Sequence, residues 1–90
     1  MLTAERLREL LHYDQDTGVF TNRVMRGGAK AGTVVGTSSA RGYVGMRVDR
    51  QWYLAHNLAF LYMLCEMPPN DVSHINGKRN DNRWRNLQRV

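Results

Sequence analysis

Residues 74–90 read His74-Ile75-Asn76-Gly77-Lys78-Arg79-Asn80-Asp81-Asn82-Arg83-Trp84-Arg85-Asn86-Leu87-Gln88-Arg89-Val90. Asn76-Gly77 is a tight-turn dipeptide, because both residue types accept a positive φ. Val72-Ser73-His74 before it then reads as a short strand. A second strand or irregular ribbon is expected near Arg85, carrying Leu87. The polar side chains between the strands are of kinds that organise chemistry. An imidazole takes up a proton near neutral pH, and asparagine amides can pin a loop or orient that imidazole. Five cations, Lys78, Arg79, Arg83, Arg85 and Arg89, stand against one acid, Asp81, a side-chain balance of +4. The whole chain carries +5, from 13 basic and 8 acidic residues, so nearly all of the excess sits at this end. A basic surface of this kind suits phosphate; the blander reading is a solvated face that keeps a small protein soluble.

Working towards the N-terminus, Pro68-Pro69 closes the most hydrophobic segment of the chain. Leu54, Leu58, Leu61, Tyr62 and Cys65 keep helical spacing there, which predicts a central core helix over about Leu54–Cys65. Gly42–Asp49 alternates as a strand, Asp49-Arg50-Gln51 turns, and Trp52-Tyr53-Leu54 pairs back as a hairpin, with Trp52 and Tyr53 packing on the sheet. Residues 26–41 are rich in Gly, Ala, Ser and Lys and read as a long exposed loop, with Thr33–Val35 as a brief strand. Arg26 and Lys30 within it either touch phosphate or are solvated. Asp14–Gly18 is a turn before a strand over Val19–Arg23. At the start, Thr3 is a good N-cap and Leu2 and Leu7 can close a hydrophobic staple. Leu7, Leu10 and Leu11 predict a first helix over Ala4–His12, with His12 at its negative end. The class is α+β: an N-terminal helix, a small antiparallel sheet, a central core helix and a C-terminal β-hairpin.

Ninety residues make one domain, 1–90, with a modest core. A hydrophobic content of 42% fits a globular chain and not a disordered one. No run of eighteen apolar residues is present, so no membrane span is expected. Neither is a signal peptide, and the expected compartment is the cytoplasm. The single cysteine, Cys65, has no internal disulfide partner and reads as a buried thiol. His56 lies in the apolar helix and reads as a hydrogen-bonded core histidine. No Cys/His spacing suggests zinc. Met63 and Met67 read as core filler. Trp84, between two arginines, either stacks on a base or covers the core.

Three stretches together resemble the phage-type HNH homing endonuclease family. They are Tyr13-Asp-Gln-Asp-Thr-Gly-Val-Phe20, Tyr53-Leu-Ala-His-Asn-Leu-Ala59 after Gly42-Tyr43, and His74-Ile-Asn-Gly-Lys-Arg-Asn-Asp-Asn-Arg through Asn86-Leu87. The last is the most specific, because several polar identities recur at fixed spacing. The resemblance implies a ββα-metal element, with His74 as the general base, Asn86 positioning that histidine and the loop, and Asn82 bracing the hairpin. It also implies a divalent cation, usually Mg2+, at the scissile phosphate. Lys78, Arg79, Arg83, Trp84, Arg85 and Arg89 would contact DNA.

Two departures from the family pattern bear on that cation. Ser73 stands where the family carries a metal-binding Asp, and a hydroxyl is a poor substitute at a magnesium site. The family's next helix, which supplies the last ligand, would begin where these residues reach Val90. The domain is thus expected to be C-terminally short. Asp71 is displaced by a strand repeat of roughly 6–7 Å, and Asp81 could approach from the loop. The leading expectation is therefore a phage-derived, non-cleaving protein. It would bind DNA or, by analogy with anti-CRISPR-type inhibitors, a host nuclease or defence complex, and could form a homodimer. The alternative is an active Mg2+-dependent nicking endonuclease with His74 as base.

Overall fold

The computed structural model describes every residue, Met1–Val90. Thr3 Oγ1 accepts from the Arg6 N–H at 3.1 Å and starts helix α1, Ala4–Leu10. Leu2 and Leu7 are buried beside it, as a staple requires. α1 ends earlier than the helical spacing predicts. Leu11–Asp14 is strand β1, antiparallel to β2, Val19–Asn22. The reason is tertiary. In extended geometry Leu11 and Tyr13 alternate into the core opposite Asn22 and Phe20, and the Tyr13 ring packs on Phe20 at 4.7 Å. His12 consequently lies exposed on a strand, paired with Thr21, and not at a helix end.

The Asp14–Gly18 turn is built as expected. Asp14 Oδ1 accepts from the Asp16 N–H at 2.9 Å, and Gly18 N–H returns to the Asp14 carbonyl at 2.7 Å. Two-residue β3, Val34–Val35, adds to β2, so β1-β2-β3 form one sheet. A second sheet contains β4, Thr37–Ser38, then β5, Val44–Val48, and β6, Gln51–Leu54. The β5–β6 turn places Asp49 (φ 47°) and Arg50 (φ 70°) in the left-handed region. Arg6 clamps it by donating to both Asp49 carboxylate oxygens, at 3.0 and 3.1 Å. The expected small sheet is thus two three-stranded sheets and a separate two-stranded ribbon within the same α+β class.

Helix α2, Ala55–Leu64, runs through the middle and buries Ala55, His56, Leu58, Ala59, Phe60 and Leu61. It ends at Cys65, whose φ of 65° turns the chain out three residues before Pro68. That geometry exposes Cys65 and overturns the buried-thiol expectation: its Sγ accepts from Arg8 Nη2 at 3.4 Å. The same arginine donates to the Tyr62 carbonyl, placing a cation at the negative helix end. Strand β7, Val72–His74, pairs with β8, Leu87–Arg89, with His74 opposite Leu87. Val72 and Leu87 anchor this ribbon to the core. No helix is long and apolar enough to cross a membrane.

Candidate nucleic-acid interface around His74

β7 delivers Val72 to the core, exposes Ser73 and presents His74 half-buried. The His74 Nε2 is hydrogen-bonded to Asn82 Oδ1 at 2.9 Å, a contact in which Nε2–H donates to the amide oxygen and the ring is oriented. Asn82 is buried, and the N-terminal hairpin holds it there. Tyr13 Oη donates to the Asn82 carbonyl, and the Trp84 N–H donates to the Gln15 carbonyl at 3.0 Å. Burial pushes the Tyr13 phenol up, so it remains a neutral donor. Gly18 allows this approach: a Cβ there would lie 2.3 Å from the Asn82 carbonyl carbon.

Asn86, also buried, closes the loop between β7 and β8. Its Oδ1 accepts from the Asn76 N–H at 3.0 Å, and its Nδ2 donates to Asn76 Oδ1 at 3.0 Å and the Asp81 carbonyl at 2.9 Å. Asn86 thus pins the loop, as expected of it, while the imidazole contact is made by Asn82 and not by Asn86. Nothing in the residue types or their burial distinguishes the two; their neighbours do. Asn76 Oδ1 accepts from the Lys78 N–H at 2.9 Å, and Gly77 N–H closes the turn on the His74 carbonyl at 2.9 Å.

Asp81 is fully engaged. Arg83 donates to its two oxygens at 2.8 and 2.7 Å, and Asn76 Nδ2 adds a third contact at 2.8 Å. The Arg83 hydrogen bonds hold the Asp81 carboxyl far below the usual carboxylate range, and Arg83 itself is raised by the same contact. Arg83 is thereby committed to the loop. Arg79 lies over the Tyr43 ring at 4.8 Å and donates to the Arg41 carbonyl at 2.9 Å. Lys78 and Arg85 are exposed. Arg89 lies 3.7 Å from Glu66 and over Phe60. Trp84 packs edge-on to Phe60 at 4.9 Å and, half-buried, covers that side of the core. Tyr43, Ser73, His74, Gly77 and Arg79 face a common open cleft of about 380 Å³.

One member of this group was read otherwise from sequence. His56 is buried as expected, but its Nδ1 has no hydrogen-bond partner. Its ring stands perpendicular to His74 at 5.2 Å and lies 5.6 Å from Tyr43. Burial first, and then nearby His74, push it down to about 4, with Asp71 opposing. Only the folding of α2 onto β7 joins the two histidines, eighteen positions apart in the chain.

The residues that pair, turn and position His74 lie within a family match: residues 53–90 match the family described as HNH endonuclease. This segment is similar to the HNH endonuclease family. The match begins in β6 and covers α2, the β7 histidine and the asparagine-pinned loop, whereas the N-terminal hairpin that braces Asn82 lies outside it. No curated protein and no solved structure matches the chain significantly. HNH endonucleases typically use a divalent metal ion. The residues of this chain do not fit one. No three of its His, Cys, Asp or Glu side chains are placed to hold an ion. Ser73 offers a neutral hydroxyl, and both Asp81 oxygens are already bonded to Arg83.

Proposed function

We propose that these ninety residues form an HNH-type domain that binds the phosphate backbone of DNA across the His74 cleft and does not itself hold the ion that cutting requires. The observation that carries this reading is Asp81. It is the one carboxylate on the hairpin, and its oxygens are turned to Arg83 and Asn76. A hard cation prefers carboxylate oxygen. Freeing Asp81 would break a bidentate pair, while Ser73 brings no charge. Loss of one charge-stabilising group at such a centre costs about 10²–10³ in rate.

Binding has the groups it needs. Lys78 and Arg85 are exposed and free for phosphate, and Arg79 lies over Tyr43 beside the cleft. His74 keeps an oriented imidazole, which supports the second reading, a nicking endonuclease whose ion is completed by other groups. A host nuclease or defence complex would meet the same basic surface, and no side chain here selects one.

The test is a plasmid-nicking assay with Mg2+ or Mn2+, run beside a DNA-binding titration. The proposal expects salt-sensitive binding without nicking, and measurable Mn2+ uptake only in Ser73→Asp. Metal-dependent nicking by the parent protein that His74→Ala abolishes would establish the second reading instead.

A further inference from the structure

A second concentration of charge lies outside the HNH segment. From Val19 to Val48 the chain has five cations, Arg23, Arg26, Lys30, Arg41 and Arg47, and no acidic residue. This stretch folds into β2 to β5, and a cleft of about 740 Å³ opens where the two three-stranded sheets meet. Arg26, Arg47 and Arg50 line it, with Asn22 and the β5–β6 turn.

The Arg26 guanidinium is fixed before any ligand arrives. Its Nη1 donates to Asn22 Oδ1 at 2.8 Å, and its Nη2 donates to the Arg47 carbonyl. Asn22 is buried, and its backbone is bonded to Gly32 and Thr33, so the support is rigid. The chain reverses after Arg26 through a Gly27-Gly28 turn, closed by two backbone hydrogen bonds between Arg26 and Ala29. Arg47 and Arg50 are exposed and form no ion pair. The single acid on the rim, Asp49, is held by Arg6. Three guanidiniums therefore face one carboxylate that already has its partner. A planar guanidinium fork matches phosphate oxygens, and a pre-ordered one loses less entropy on binding them.

We infer that this cleft is a second phosphodiester-binding surface, engaging the backbone of the same nucleic acid that crosses the His74 cleft. The inference rests on the DNA-binding reading for the class of partner, but on none of the hairpin's residues. Arg47 and Arg50 contact phosphates directly, and Arg26 forms the ordered floor between them. The surface lengthens the footprint beyond the hairpin and adds affinity without base selectivity.

The experiment measures affinity for a short mixed-sequence DNA duplex over a series of salt concentrations. It compares the full chain with Arg47→Gln/Arg50→Gln and with Lys78→Gln/Arg79→Gln/Arg85→Gln. The cleft variant leaves Arg26 and its buried support in place, so it keeps the fold. Circular dichroism and the melting temperature check this. The expected result is a weaker complex whose slope of log affinity against log salt is smaller by about two, one for each lost phosphate contact. Adding Arg26→Gln should lower affinity further. Parent-like affinity and slope in the cleft variant overturns the inference; if the hairpin variant binds less well in that case, the DNA-binding reading stands. A cleft variant that weakens binding beside a hairpin variant that does not would support the cleft and remove the hairpin. A parent protein that binds no DNA overturns both.

Discussion

Burial decides what each histidine and asparagine here can do. His56 stays neutral when folded because it is pushed down to about 4, whereas an unfolded histidine titrates near 6.5. Between those values the unfolded chain binds the extra proton. The stability that neutral burial contributes is therefore fully present above about pH 6.5 and lost progressively towards pH 4, up to about 3 kcal/mol. His56→Phe should flatten that acid limb in melting temperatures recorded from pH 7 to 4. An unchanged limb would locate the acid sensitivity elsewhere. Asn86 illustrates a different dependence. Replacing it with Ala strips partners from the Asn76 N–H and the Asp81 carbonyl. Each orphaned group costs about 1–3 kcal/mol when it remains buried. Asn86→Ala should accordingly melt on the order of 10 °C lower, whereas exposed Asn80→Ala should melt with the parent.

The first hairpin shows how one element supports another. β1 and β2 lie outside the matched HNH segment, yet their turn touches the backbone of the loop that holds Asn82. Gly18→Ala should therefore act at a distance in sequence. A methyl there meets the Asn82–Arg83 peptide, and the φ of 76° is itself unfavourable for Ala. We expect a loss of about 1–3 kcal/mol, together with a shifted His74 ring resonance as the Asn82 contact loosens. Unfolding without any change at His74 would mean that the hairpin stabilises the domain but does not position the site. The same elements show what could be read from sequence. The turns at Asp14–Gly18, Asn76–Gly77 and the β5–β6 hairpin follow local chemistry, so residue types announce them. The end of α1 does not, because Leu7, Leu10 and Leu11 satisfy a helix equally well. Only the pairing of Leu11 and Tyr13 with β2 selects the strand. The His74 loop was visible as a polar motif. The division of labour between Asn82 and Asn86, and the contact of His56 with His74, depend on non-local packing that no spacing encodes.

Across the whole molecule, charge is distributed unevenly. Glu5, Glu9, Asp14 and Asp16, half of the eight acids, fall within the first sixteen residues, and the middle and the end of the chain are basic. Three of the four ion pairs are solvent-exposed and contribute little to stability, while the partly buried Arg83–Asp81 pair is local to the hairpin loop. Ninety residues with this self-repulsion fold with a modest margin, and a polyanion that binds only the folded state should raise it. At a ligand concentration of a hundred times Kd the gain is about 2.7 kcal/mol, enough to move the melting temperature by roughly 10 °C or more in a domain of this size. Duplex DNA should produce that rise at low salt, and several hundred millimolar salt should remove it, because counterion release drives the association. An uncharged polymer should produce no rise. A DNA-induced shift that survives high salt would place the affinity in groove contacts and not in phosphate. The basic hairpin and the basic cleft would then be solvated surfaces, with Lys78, Arg85, Arg47 and Arg50 serving solubility.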